Sequence, residues 1–146
     1  MKKVEMMRAV LGVVVALVAM SILVFAASLA PWLVLGVDTV LMPGRFDTVA
    51  AYDIYAVVVG VLGAVFGGWL CMRIGRSRIA VIVLAVLSFA GGMANAYAQH
   101  AKPAPGARLP GVTVMEAVNT RKEPAWFTLL MPCLGVAGVL IGGRER

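Results

Sequence analysis

The stretch AVLGVVVALVAMSILVFAASLAPWLVLGV, residues 9–37, carries no charged side chain. A helix rises about 1.5 Å per residue, so roughly 20 apolar residues cross about 30 Å of bilayer hydrocarbon, and this run is long enough with turns to spare. Three further uncharged runs follow at 54–72, 79–99 and 125–143, and every Asp, Glu, Lys and Arg falls between or outside them. The whole chain of 146 residues is 62% hydrophobic and 14% charged, with mean hydropathy +0.95. Soluble domains hold roughly 45–50% apolar residues. The sequence therefore predicts an all-α integral membrane protein with four transmembrane helices, spanning about 9–35, 53–72, 79–99 and 125–143, as a single domain over 1–146. The remaining pieces, a first loop around 38–53, a turn at 73–78 and an outer loop at 100–124, are too short to bury cores of their own.

Orientation follows from the basic residues when alternate loops are assigned to opposite sides. One side collects Lys2, Lys3, Arg8, Arg73, Arg76, Arg78, Arg144 and Arg146; the other has Arg45, Lys102, Arg108, Arg121 and Lys122. The excess places both termini in the cytoplasm of a bacterial inner membrane as a multi-pass protein. Only Glu5 and Glu145 offset the first set, whereas Asp38, Asp47, Asp53, Glu116 and Glu123 offset the second. The formal +6 thus sits on one face, which suits the anionic headgroups of a lipid bilayer. No basic stripe or aromatic RNA-binding motif accompanies it, so nucleic acid is not an expected partner.

Lys2-Lys3 followed by an apolar run and small residues at Ala26, Ala27, Ser28 and Ala30 imitates a secretory signal. A signal's apolar core is roughly 7–15 residues, and this one is much longer, with Pro31 and Trp32 where an interfacial helix end belongs. The segment reads as a retained signal anchor. Cys71 lies near the inner end of the second span and Cys133 near the outer part of the fourth, at depths about 15 Å apart at helical rise, so they should not pair.

Small residues recur at spacings of four and three in every span: Gly12, Ala16, Ala19, Ala26 and Ala30; Ala56, Gly60, Gly63 and Gly67; Ser88, Gly92, Asn95 and Gln99; Gly135, Gly138 and Gly142. Such a period keeps one seam toward a neighbour, and small side chains let helices approach where no hydrophobic drive exists between them, predicting a left-handed bundle. Gly60-x-x-Gly63-x-x-x-Gly67-Gly68 is repeated as Gly135-x-x-Gly138-x-x-x-Gly142-Gly143. The repeat is compatible with two tandem helical hairpins related by an axis along the membrane normal.

The run Gly68-Trp69-Leu70-Cys71-Met72-Arg73-Ile74-Gly75-Arg76-Ser77-Arg78 resembles the G-x-x-x-D-R-x-G-R-R loop between helices two and three of major facilitator transporters, with Met72 where that family has its acidic residue. Four spans cannot supply that family's twelve. The ensemble of G-G-W, R-I-G-R and P-A-W-F followed by Gly-Gly-Arg resembles small uncharacterised four-helix bacterial membrane proteins, a likeness that implies no activity.

Polar residues in a span are costly and are functional candidates by default. Asp53, Asn95, Gln99 and His100 all fall near the outer surface and form a candidate polar site beneath the outer loop. Tyr52, Tyr55, Tyr97 and Trp126 fit an interface belt, and Pro132 should free the Thr128 carbonyl. Val112–Val118 fits a short amphipathic helix or strand lying on the bundle. Enzyme chemistry finds little support: there is one histidine, no C-x-x-C, no metal-ligand spacing, no nucleophile elbow and no phosphate loop, so no catalytic, metal or cofactor residues are expected. Two functions remain: an accessory or structural subunit of a membrane assembly, using glycine faces and the outer loop to bind a membrane-protein partner or a further copy, and a small oligomeric transporter or channel using the outer polar site.

Overall fold

The computed structural model describes residues 3–144. Lys2, Glu145 and Arg146, counted above in the charge balance, lie outside the described residues. The chain is all-α: α1 (Lys3–Val34), α2 (Val37–Val40), α3 (Ala50–Gly75), α4 (Arg78–Ala101), α5 (Val114–Thr120) and α6 (Ala125–Gly142). The four long helices α1, α3, α4 and α6 are apolar enough to cross a membrane, and they carry the four expected spans. α3 and α4 overrun their apolar runs at both ends, whereas α1 begins before its run and stops short of the run's end at Val34.

The helices are not packed in simple chain order. α3 lies against α1 on one side and α6 on the other, and α6 in turn lies against α4, whereas α3 and α4 touch little despite their tight connection. The two chain-adjacent pairs α1/α3 and α4/α6 therefore meet through α3 and α6. Glycine permits this. A Cβ on Gly138 would stand 2.7 Å from the Ala64 Cβ, and one on Gly68 or Gly142 would collide with the Val139 or Val65 carbonyl. α1 reaches α3 the same way, since a Cβ on Gly12 would lie 2.7 Å from the Gly75 amide nitrogen.

Two buried clusters stabilise the two ends. At the arginine-rich end Ala9, Val13 and Ala16 of α1 pack with Ala80, Val81, Leu84 and Ala85 of α4, together with Ala64, Cys71 and Val139. Burying such small side chains brings all four helices into contact there. At the opposite end Trp32, Val40, Leu41, Phe46, Tyr52, Ala56, Ala117 and Phe127 form a second core beneath a cap of loops. Gly36 turns the chain with a φ of 82°, which ends α1 and turns Val37 out of the first apolar run into α2. The cap is tied by bridges Leu41↔Thr48 and Asp47↔Lys122, and by an ion pair of 2.8 Å between Arg108 and Asp38. The expected amphipathic segment is a helix: Thr113 accepts from the Glu116 amide at 3.3 Å and caps α5, whose Ala117 is fully buried.

Three sequence expectations change at this level. Trp32 is 1% exposed, not an interfacial anchor, because the cap folds over it and Tyr52 accepts its indole N–H at 3.0 Å. The α1 stripe holds only in the half nearer the arginine-rich end: Gly12 and Ala16 are buried while Ala26 and Ala30 are exposed, so the seam drifts around the helix. The repeated glycines do unlike work, since Gly63 and Gly67 face Val24 and Met20 of α1, whereas their counterparts Gly138 and Gly142 face α3. Cys71 is buried, Cys133 is exposed, and both are free thiols.

Candidate functional site

α1 and α4 meet at the arginine-rich end and part toward the cap, leaving a crevice of about 570 Å³. That volume is in the roughly 300–1,000 Å³ range of ligand-sized sites. One wall is the cap-side half of α1, including Met20, Ser21, Val24 and Ser28; the other is α4, with Leu87, Ser88, Gly91 and Asn95. α6 closes the back through Met131, Pro132 and Gly135, and Arg121 and Glu123 form the roof.

The crevice is shaped by the absence of side chains as much as by their presence. A Cβ on Gly91 or Gly135 would meet nothing within 4 Å, so these two glycines open onto space. Gly92, one residue from Gly91, also lines the crevice but sits against the Pro132 ring. Of the seven glycines expected to pack, Gly60, Gly63, Gly67, Gly92, Gly138 and Gly142 do so, and Gly135 does not. It shares their spacing but lies on the crevice side of α6.

Three polar features line this apolar space. The Ser88 hydroxyl oxygen is buried and has no hydrogen-bond partner among the described residues. Asn95 is exposed on the α4 wall, about two turns nearer the cap. At the roof both Nε and Nη2 of Arg121 donate to one oxygen of Glu123, at 3.0 and 2.9 Å, and the Glu123 side chain is only 6% exposed. An unpartnered hydroxyl in an apolar setting costs free energy that a donor or acceptor from an occupant would recover.

The four residues of the expected polar site are not gathered into it. Asn95 alone lines the crevice. Asp53 is 3% exposed and accepts the Thr48 hydroxyl at 2.6 Å, so its carboxylate serves the cap, with Arg121 close enough to act on it electrostatically. The His100 Nε2 lies 3.3 Å from the Thr128 hydroxyl, which itself donates to the Ala125 carbonyl. Gln99, half-buried in the same turn as His100, lies outside the crevice lining. The Arg121–Glu123 roof and the Gly91 opening escaped sequence reasoning; the one available signal was an Arg-x-Glu-Pro run directly preceding the last span.

Among the described residues, no three His, Cys, Asp or Glu side chains are grouped to hold a metal ion. Comparison of the chain with protein-family models, with curated proteins and with solved structures finds no match.

Proposed function

We propose that this chain is an accessory subunit of a bacterial inner-membrane assembly, with both termini cytoplasmic, that receives a transmembrane helix of a partner protein in the α1–α4 crevice. The observation that carries the proposal is the composition of the crevice walls. Ser21, Ser28, Ser88 and Asn95 line it beside Gly91 and Gly135, small or hydrogen-bonding residues of the kind that transmembrane helices use against one another, and the two glycines open onto space that no helix of their own chain fills. Ser88 and Asn95 would supply the interhelical hydrogen bonds, each worth about 0.6–2 kcal/mol in a bilayer. The basic excess at the α3–α4 turn supports the orientation.

Gly91→Leu together with Gly135→Leu fills the crevice without touching the chain's own packing, since both positions are open. The tagged protein is purified from its own membrane in native nanodiscs, the particle mass is measured and co-eluting polypeptides are identified. A stoichiometric foreign polypeptide that is lost in the double variant, while the variant keeps wild-type yield and melting behaviour, is the expected result. A clean homo-oligomer from the wild type, or partner retention with the crevice filled, overturns the proposal.

A further inference from the structure

A second groove lies on the lipid-facing side of the α3–α6 seam at the arginine-rich end, with a volume of about 1,060 Å³. Leu62, Phe66 and Ile141 make its sides along the span, and Trp69, Arg73 and Arg144 stand at its mouth. Its depth comes from the close approach described above: Gly142 sits against the Val65 carbonyl and the Trp69 amide, so no side chain fills the seam. The Arg73 guanidinium lies over the Trp69 ring, 5.4 Å from the ring centroid, which fixes its position beside the groove. Neither Arg73 nor Arg144 pairs with a carboxylate among the described residues.

An apolar furrow ending in two guanidinium groups with no carboxylate partner among the described residues, beside an indole, matches one occupant in particular. We infer that this groove binds a single anionic phospholipid of the phosphatidylglycerol type, with its phosphodiester between Arg73 and Arg144, its glycerol backbone beside Trp69, and an acyl chain along Leu62, Phe66 and Ile141. Charge complementarity selects the lipid class. Arginine presents a planar fork that meets phosphate oxygens in pairs, whereas a zwitterionic choline lipid would bring its ammonium against the same two cations. The open groove volume leaves room for a chain lying along the furrow. The inference rests on the chain spanning a bilayer and is independent of the crevice and its partner.

The test is native mass spectrometry of protein taken from nanodiscs containing equal amounts of phosphatidylglycerol and phosphatidylcholine. The wild type should retain one phosphatidylglycerol in preference to phosphatidylcholine. Arg73→Gln with Arg144→Gln should lower that preference by roughly thirtyfold, which is about 2 kcal/mol at about 1.4 kcal/mol per tenfold. Arg73→Lys with Arg144→Lys should restore part of it, and Arg45→Gln with Arg108→Gln, at the capped end, should leave it unchanged. Equal retention of the two lipids by the wild type overturns the inference, as does undiminished preference in the Gln variant. Failure to enter nanodiscs at all would instead refute the membrane reading, so the two failures are distinct.

Discussion

Pro31 sits inside α1, and its ring nitrogen has no hydrogen to give the Ala27 carbonyl four residues back. In a bilayer that carbonyl needs another donor. Tyr55 of α3 provides it, its hydroxyl donating to the Ala27 oxygen at 2.8 Å, and Tyr52 donates to the adjacent Ser28 carbonyl at 3.3 Å while accepting the Trp32 indole. The two tyrosines that read as an interface belt are thus a clasp that repairs a proline. Tyr55→Phe should cost about 1 kcal/mol, seen as a lower melting temperature in detergent, while Tyr55→Phe in a Pro31→Ala background should cost little, because the backbone bond is then remade. Arg76 shows the converse situation. It occupies the left-handed region at φ 47° as the C-cap of α3, where a side chain costs roughly 1–2 kcal/mol and glycine does not. Arg76→Gly should raise the melting temperature and Arg76→Ala should not; equal effects of the two would locate the gain in lost charge repulsion instead of backbone strain.

Among elements, α6 has two faces that the sequence writes in one spacing. Gly138 and Gly142 seat it on α3, whereas Gly135, one turn earlier, opens onto the crevice. Gly138→Leu should abolish the folded monomer, because the side chain would have to enter space held by Ala64 and the Val61 carbonyl. Gly135→Leu should leave the monomer's elution and melting unchanged. A monomer that tolerates Gly138→Leu would overturn the α3–α6 contact. The contrast also marks the limit of reading by spacing. Charge-free runs located four helices because the bilayer sets their length, whereas 112–118 read equally as a short amphipathic helix or strand, and the Thr113 cap on the Glu116 amide shows it to be a helix. Which neighbour each glycine meets depends on the rotation of one helix against another, and nothing within a single helix encodes that. Hence the stripe was legible and its partners were not. The same reason explains why Asp53 and Asn95, close in depth, serve different surroundings: Asp53 is turned to Thr48 in the cap and Asn95 to the crevice.

For the whole molecule, the two ends differ in closure, and that difference bears on whether the chain could conduct. The crevice deepens toward the middle of the bundle, but beneath it Val13 and Ala16 of α1 meet Val81, Leu84 and Ala85 of α4, with Ala64, Cys71 and Val139 completing an unbroken apolar plug. Leu84, Ala16 and Val139 are fully buried within it. No charged side chain belongs to that cluster, so an ion would have to cross hydrocarbon-like packing without a partner, at a cost of several kcal/mol. The buried carboxylate of Asp53 is not in the crevice and is occupied by Thr48. Proteoliposomes containing the purified chain should therefore pass protons, potassium and small anions no faster than protein-free vesicles, and Asp53→Asn, which keeps an acceptor for Thr48, should change neither flux nor melting by more than a small margin. Leu84→Ala tests the plug's packing instead: the cavity it opens should destabilise the bundle by about 2–5 kcal/mol, seen as a lower melting temperature. Flux through the wild type that falls on Asp53→Asn would require a path around the plug, formed between copies, and would return the small-transporter function to first place.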